Sequence, residues 1–317
     1  MKTKNLSSVA VVGQKKGFLK NLYDYRHAYI LLLPALIAVF FFLYLPLLGV
    51  ILSFKDYNIY DGIWGSAWVG LDNFVTIFQQ KAMVKAILNT IILSFILIFG
   101  TFPFPVILAV LFNEIRNARF KKIVQTVSYM PHFLSWVTVV GLCYAFLATE
   151  GPLNTMMQQL LGDGYVAKNF LMESKYFRPI AYLAFLWKDI GWSSVIYLAA
   201  ITGIDESLYE AARIDGAGKF KQIWHITLPS IRNTMIILLV MKLGHVFTAN
   251  FEMVYGLQNV FTIDDTEIIS TLIYRTGIQN GNYSVATAFG LMQGVITIAL
   301  ILTTNFISKK LAEVSIW

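Results

Sequence analysis

Few side chains of this 317-residue sequence are spaced for chemistry of their own. The four histidines show no H-E-x-x-H or similar metal-ligand spacing, and the single Cys143 rules out an internal disulfide or a cysteine-based metal cage. The only Gly-Lys pair, Gly218-Lys219, is no phosphate loop, because Arg213 stands at the first glycine position of the motif and Phe220 at the Ser/Thr position. The sequence therefore predicts no catalytic residues, no metal and no nucleotide or other cofactor bound by this chain.

A second set of polar residues lies inside stretches that are otherwise apolar. Lys188 and Asp189 stand near the middle of one such stretch, and Lys242 and His245 near the middle of another. Charged groups inside a membrane helix are costly and face the helix bundle, a partner or a wet cavity, so they mark a candidate path for a polar substrate. The residues that we predict to line this path are Trp187, Lys188, Asp189, Trp192, Lys242, His245 and Asn250.

Internal pairing is the alternative for the charged members of this set. Adjacent residues on a helix do not face each other, so Lys188 and Asp189 need separate partners. Lys188 would then pair with Glu252 or with another subunit, and Asp189 would pair with Lys242. The two tryptophans of the path lie too deep in their stretch to be explained as interfacial anchors.

The composition identifies the kind of element that must position these residues. Hydrophobic residues make up 57% of the sequence and charged residues only 14%, against roughly 25% charged in soluble domains. Several apolar stretches reach the roughly 20 residues that a helix needs to cross a bilayer, where backbone groups find no water to bond. We therefore predict an all-α polytopic membrane protein rather than a soluble enzyme. The net charge of +7 then reflects membrane orientation and not a nucleic-acid partner.

The apolar stretches number six and define one transmembrane domain over residues 30–306, between tails at 1–29 and 307–317. In the last outer loop, residues 265–278 are predicted to form a short helix with one apolar face. The six predicted spans are about 30–52, 84–112, 123–147, 179–203, 233–252 and 286–306.

The distribution of Lys and Arg predicts the orientation of these spans. The segments 1–29, 113–122, 204–232 and 307–317 together hold 16 of these residues, whereas the three loops that alternate with them hold 6. Because cytoplasmic segments are enriched in Lys and Arg, we predict that both termini face the cytoplasm and that the protein crosses the cytoplasmic membrane several times.

The cytoplasmic loop 204–232 is the most distinctive stretch of the sequence. Ser207 and Glu210 have the S-x-x-E spacing of a capping box, which predicts the start of a short helix. Gly216 suits the left-handed residue that ends such a helix, and Pro229 interrupts a second amphipathic segment before the fifth span. A helix, a glycine turn and a second segment at the membrane face together predict a docking element for another protein.

This loop resembles the EAA motif of ATP-binding-cassette importer permeases. The longer string EAARIDGAG…ITLP is similar to the carbohydrate-uptake branch, typified by the maltose permease, and the whole chain is collinear with that family. Further matching segments are LLLPALI at 31–37, LSF at 52–54, GLDNF at 70–74 and MPHFLSW at 130–136. The loop residues that carry the resemblance are Glu210, Ala211, Ala212, Asp215, Gly216, Ile226, Leu228 and Pro229.

The resemblance implies a transport subunit with no enzymatic activity of its own, whose loop 204–232 docks onto a partner ATPase. It also implies a second permease subunit of different sequence, two ATP-binding-cassette subunits that bind ATP and Mg, and an extracellular sugar-binding protein. The branch that the sequence most resembles imports oligosaccharides released from plant or algal polysaccharides. Aromatic rings cover the C–H faces of sugars, and the midplane lysines suit an acidic, uronate-containing oligosaccharide.

Two other classes of membrane protein are alternatives to this interpretation. An ion-coupled secondary sugar transporter would show inverted repeats and discontinuous helices in matching halves, and the sequence displays no such repeat. A membrane-embedded enzyme would need a nucleophile with its base, or a metal constellation, among the ionisable groups of its spans. The secondary transporter is the alternative that we keep.

Overall fold

The computed structural model describes residues 25–162, 164–243 and 250–312. Parts of both predicted tails, 1–24 and 313–317, therefore lie outside the described residues. Contacts divide the chain into two units, Met1–Ile51 and Leu52–Trp317.

The first unit contains the beginning of one long apolar helical run. Helix α1 (Arg26–Val39) continues as a π-helical turn, Phe40–Tyr44, and a 3-10 stretch, Leu45–Phe54. The complete run, Arg26–Phe54, is long and apolar enough to cross a membrane. It confirms the predicted helix over 30–52.

The described part of the second unit consists of helices and one minimal hairpin. The hairpin pairs β1 (Lys55–Asp56) antiparallel with β2 (Ala67–Trp68). The helices are α2 (Gly62–Gly65), α3 (Asp72–Gln79), α4 (Lys81–Thr101), α5 (Pro103–Glu114), α6 (Ala118–Tyr129), α7 (Trp136–Leu147), α8 (Pro152–Leu161), α9 (Ser174–Thr202), α10 (Glu206–Ile214), α11 (Lys219–Gln222), α12 (Leu228–Ser230), α13 (Arg232–Leu243), α14 (Phe251–Leu257), α15 (Ile263–Thr266), α16 (Ile269–Tyr274) and α17 (Tyr283–Ala312). Single 3-10 or π-helical turns lie at Met130–Phe133, Phe170–Met172, Ile223–Thr227 and Arg275–Gln279.

Length and apolarity single out four candidate membrane spans among the described residues, or five if one bent pair of helices counts as a span. The predicted second span falls within Lys81–Glu114, and the sixth within Tyr283–Phe306. The predicted fourth span corresponds to α9, which has the required length but carries Lys188 and Asp189 in its middle. These charges lower the mean hydropathy of α9, which is therefore not among the four candidate spans.

The predicted third span, 123–147, is wrong as a single helix. A 3-10 turn, Met130–Phe133, and two extended residues separate α6 from α7. Pro131 has no N–H to donate within this turn. Ser135 then caps α7, because its hydroxyl oxygen accepts a hydrogen bond from the backbone nitrogen of Thr138 at 3.2 Å. Both sides of the break are rich in apolar residues, and hydropathy alone therefore does not reveal it.

Helix α9 is the centre of the second unit and packs along α5, α6 and the turn that follows α6. A Cβ atom built on Gly191 would overlap the carbonyl oxygen of Ser128, so only glycine allows α9 and α6 to approach this closely. Toward its C-terminal end, α9 contributes to a buried apolar cluster that we call the inner cluster. The inner cluster consists of Val106, Ala109, Val110, Tyr197, Ile201 and Ile231.

One prediction about the loop before the last span is confirmed, and the GLDNF segment, for which no structure was predicted, is anchored by hydrogen bonds. The short helix expected at 265–278 appears as α16 with the π-helical turn behind it, and its residues Ile269 and Leu272 are buried as expected. In the GLDNF segment, the Asn73 amide donates to the carbonyl oxygens of Ser53 and Lys55 at 3.0 and 2.9 Å. This asparagine therefore ties helix α3 to the end of the 3-10 stretch and to β1.

Candidate substrate path and coupling loop

An ion pair joins the middle of α9 to the last turn of α13. The Lys242 ammonium lies 3.1 Å from Asp189 Oδ2, which also accepts a hydrogen bond of 2.6 Å from the Ser193 hydroxyl. The side chains of Lys242 and Asp189 are 28% and 25% exposed, respectively, so water screens the pair only in part. The charge of Lys242 is thus neutralised within the chain, as the internal-pairing alternative predicts for Asp189.

Lys188 has a different environment. Its ammonium donates a hydrogen bond of 2.5 Å to the carbonyl oxygen of His132 and lies 5.5 Å from the centre of the Trp136 ring. His132 lies in the 3-10 turn that separates α6 from α7, where the helical hydrogen-bond ladder ends and a carbonyl is open to an outside donor. Among the described residues, no carboxylate lies within ion-pair distance of Lys188, Glu252 included. Within the described part of the chain, the Lys188 ammonium in the middle of α9 therefore has no carboxylate partner.

Further aromatic rings stack on the side chain of His132, the residue whose carbonyl holds Lys188. The rings of His132 and Trp192 stack with centroids 4.7 Å apart, and Phe133 meets Trp192 edge-on at 5.7 Å. Trp192 stands one helical turn after Lys188 and is 46% exposed, so part of its ring is open to a ligand. The structure thus brings together a cation and an aromatic surface, held by α9 and the break after α6.

The remaining predicted path residues do not all join this group. Trp187 lines a separate apolar groove with Leu183 and Phe146, away from the stacked rings. Asn250 has a left-handed backbone (φ 77°) and its carbonyl accepts from Val254 at the start of α14. His245, with the rest of 244–249, lies outside the described residues, as does that part of the predicted fifth span.

Four contributors to the group were absent from the predicted path: His132, Phe133, Trp136 and Ser193. The first three belong to the MPHFLSW segment, whose aromatic and proline content was visible in the sequence. Their proximity to Lys188 depends on the break after Phe133, which hydropathy does not indicate. Ser193 follows Asp189 by four residues, the spacing of neighbours on a helix face, and this signal was available.

The helix of the loop 204–232, which we call the coupling loop after its predicted docking role, begins differently from the prediction. Asp205, and not Ser207, caps α10: its carboxylate accepts a hydrogen bond of 2.9 Å from the backbone nitrogen of Ser207. The same bond holds the pKa of the Asp205 carboxyl below its ordinary value. Asp, like Ser, is a preferred cap, and Asp205 stands immediately before the first helical residue. Glu210 is thereby free of a capping role and is exposed near the middle of the helix.

The end of α10 has the predicted glycine geometry. Gly216 adopts a φ of 76°, its N–H donates to the Arg213 carbonyl, and the N–H of Ala217 donates to the Ala212 carbonyl. These two bonds are those of a Schellman motif. They turn the chain sharply and leave Asp215 and Gly216 exposed at the tip.

The second half of the loop packs against the helix bundle. Leu228 contacts the inner cluster, and Ile226 is half-buried. The Tyr209 hydroxyl lies 2.9 Å from the Thr227 hydroxyl and joins the two halves of the loop. Pro229 is exposed in α12, and the main bend, 59°, falls at the junction with α13, two residues later than expected.

The loop is also tied to the end of α5. The Lys219 ammonium lies 2.8 Å from the Glu114 carboxylate, the last residue of that helix. Loop and span are therefore in contact through one ion pair as well as through the inner cluster. Among the described residues, no group of three His, Cys, Asp or Glu side chains is placed to hold a metal ion.

A protein-family profile, described as "Binding-protein-dependent transport system inner membrane component", matches residues 77–313. The chain belongs to this family. The match covers every helix from α4 onward, including the coupling loop and the group around Lys188. As a member of this family, the chain is a multi-pass membrane component of a transport system.

Individual relatives of this inner membrane component are similar over nearly its whole length. The polygalacturonan/rhamnogalacturonan transport system permease protein YteP of Bacillus subtilis (strain 168) is 39% identical over 304 residues, covering 96% of this chain and 94% of the relative. Protein LplB of the same strain is 41% identical over 283 residues, covering 89% and 88%. A chain of a bacterial alginate ABC transporter, solved in complex with an alginate pentasaccharide-bound periplasmic protein, superposes with a TM-score of 0.87 at 36% identity and covers 95% of this chain and 100% of that one.

Proposed function

We propose that this chain is a permease subunit of an ATP-binding-cassette importer and that it moves an acidic oligosaccharide across the cytoplasmic membrane. The relatives named for polygalacturonan, rhamnogalacturonan and alginate support this substrate class, because all three polysaccharides contain uronate units with carboxylate groups. Family membership supports the transport role.

The proposal of an acidic substrate rests on one observation, the unequal pairing of Lys188 and Lys242. Lys242 is neutralised by Asp189, whereas Lys188 bonds only to a neutral carbonyl among its described partners. One positive charge is therefore left beside the half-exposed ring of Trp192. A carboxylate would compensate that charge, and the ring would cover the apolar face of the same sugar unit.

The same proposal assigns the loop 204–232 to energy coupling. Its exposed residues, among them Glu210 and Gly216, would sit on an ATPase subunit that binds ATP and Mg, so that this chain needs no cofactor of its own. The turn at Gly216 is built by backbone hydrogen bonds and leaves the tip open, which suits a surface that another protein must cover.

The proposed topology and assembly follow from the same assignment. The domain 30–306 would cross the membrane six times, with α9 and residues 233–252 as the fourth and fifth spans and both termini in the cytoplasm. A second permease subunit and two ATPase subunits would complete the transporter. An extracellular sugar-binding protein would deliver the substrate, by analogy with the periplasmic protein in the alginate transporter structure.

Reconstitution of the assembled transporter in proteoliposomes tests this proposal. We expect the complex to accumulate a galacturonate trisaccharide only when ATP and the binding protein are supplied, and to take up a neutral trisaccharide poorly. Accumulation driven by a proton or sodium gradient without ATP would instead establish a secondary transporter. ATP-driven accumulation of the neutral sugar with equal efficiency would contradict the acidic substrate.

A further inference from the structure

The segment Lys219–Ser230, which we call the elbow, has one packed face and one open face. On the packed face, Gln222 and Thr227 are buried and Leu228 contacts the inner cluster. On the open face, Phe220 is 78% exposed and Trp224 is 61% exposed. Their four-residue spacing places the two rings on the same side of the helix.

The open face combines an aromatic pair with positive charge. The rings of Phe220 and Trp224 stack nearly parallel, with an interplanar angle of 13° and centroids 6.5 Å apart. Lys221 and His225 follow each ring and line the same shallow cleft. Residues 216–232 contain no Asp or Glu, so the whole elbow is basic.

Both ends of the elbow are fixed to the ends of membrane spans. At its beginning, Lys219 forms the ion pair with Glu114, the last residue of the candidate span Lys81–Glu114. At its end, the elbow passes into α13 through the 59° bend. The elbow therefore connects two span ends, and span ends lie where the hydrocarbon core gives way to lipid headgroups.

We infer that the open face of the elbow lies in the headgroup region of the cytoplasmic leaflet and binds anionic lipid. Tryptophan and phenylalanine beside lysine are the residues that an interfacial amphipathic helix uses, and a basic segment close to the membrane is attracted by anionic headgroups. The inference rests on the proposed topology, which places the loop 204–232 on the cytoplasmic side, and it does not depend on the sugar.

This placement separates two surfaces of the coupling loop. The tip around Gly216 is left for the partner ATPase, and the elbow rests on lipid. A lipid anchor on one side of the loop would set the position from which the ATPase moves it, so the anionic lipid content of the membrane would influence the coupling of ATP hydrolysis to transport.

Spin-label accessibility in the membrane-embedded permease subunits, measured before the ATPase subunit is added, tests the inference. In a Cys143→Ala background, nitroxides are attached at Trp224→Cys on the elbow and, as the matched control, at Ile214→Cys, which is exposed at the end of α10. The complex is placed in nanodiscs that contain phosphatidylglycerol. We expect the label at 224 to collide more with oxygen than with a water-soluble nickel chelate, and the label at 214 to show the reverse. A label at Phe220→Cys provides the same test if the tryptophan variant does not assemble.

The lipid and the ATPase are distinguished by two further comparisons. We expect Lys221→Gln to shift the label at 224 toward nickel accessibility in anionic nanodiscs and to leave it unchanged in purely zwitterionic ones. Equal nickel accessibility at 224 and 214 in the membrane would overturn the inference. It would also be overturned if the label at 224 became protected only when the ATPase subunit was added, since the open face would then belong to that protein.

Discussion

The coupling loop and the midplane group around α9 differ in where their side chains find partners. At the tip of the loop, Glu210, Asp215 and Gly216 are exposed, and backbone hydrogen bonds fix the shape. In the midplane, Lys188 and Asp189 are half-buried, and bonds to other helices fix their positions. A surface that serves another protein can thus be recognised from a local motif, whereas a polar group inside a helix bundle acquires its role from distant residues.

The midplane contains a second contrast between two lysines of the same kind. Lys242 is neutralised by Asp189, and Lys188 is held by the carbonyl of His132. Removal of Lys242 leaves the Asp189 carboxylate without its cation. Removal of Lys188 leaves only the His132 carbonyl without this hydrogen-bond donor. We therefore expect Lys242 to contribute chiefly to the stability of the fold and Lys188 to the preference for an acidic substrate.

The largest effect is expected from Gly216→Trp. The left-handed backbone strains any L-residue by roughly 1–2 kcal/mol, and the bulky ring would project from the tip that the ATPase is proposed to cover. We predict complete loss of ATP-driven uptake, measured in proteoliposomes, while the variant still inserts in the membrane. Gly218→Ala is the control, because Gly218 has an ordinary φ of −67° and open space around it. Full uptake by the tryptophan variant would remove the coupling role of this loop.

A smaller, structural effect is expected from Lys242→Met. It leaves the Asp189 carboxylate without its cation in a partly desolvated site, which costs about 1–3 kcal/mol. We predict a lower thermal transition and an equal reduction in uptake of acidic and neutral sugars. The double variant Lys242→Met/Asp189→Asn should recover most of the lost stability, since no charge is left unpaired. Failure of the second change to restore stability would mean that the ion pair is not what the lysine contributes.

The smallest effect is expected from the ion pair between the elbow and α5. Both partners are substantially exposed, Lys219 at 60% and Glu114 at 35%, so water and salt screen the attraction. We predict that Glu114→Gln changes the free energy of unfolding by only about 0.2–1 kcal/mol. The reversed pair Glu114→Lys/Lys219→Glu should behave like the wild type in uptake. A loss of transport as large as that from Gly216→Trp would show that this contact transmits motion and does more than tether the elbow.

The parts of the fold that were predicted correctly are those that local sequence determines. The first, second and sixth spans are continuous apolar stretches, and Gly216 ends α10 as its φ requires. The break after Phe133 was missed because apolar residues flank it on both sides. Asp205 was missed as the cap because Ser207 also had a capping pattern two residues later.

The midplane site could be predicted only in part, for a physical reason. The sequence identified the charged residues, and the pairing of Asp189 with Lys242 was one of two open alternatives. Which lysine remains uncompensated depends on the packing of α9 against α13 and against the broken third span. That packing joins Lys188 to His132, 56 residues away in the chain, and no local pattern encodes it.

The most direct test of the role of Lys188 compares the two lysines with acidic and neutral sugars. Uptake of a galacturonate trisaccharide and of a neutral trisaccharide is measured for the wild type, Lys188→Met and Lys242→Met/Asp189→Asn in the same reconstituted transporter. We expect the ratio of acidic to neutral uptake to fall for Lys188→Met and to stay at the wild-type value for the double variant. An unchanged ratio in Lys188→Met would contradict the assignment of this cation to the substrate.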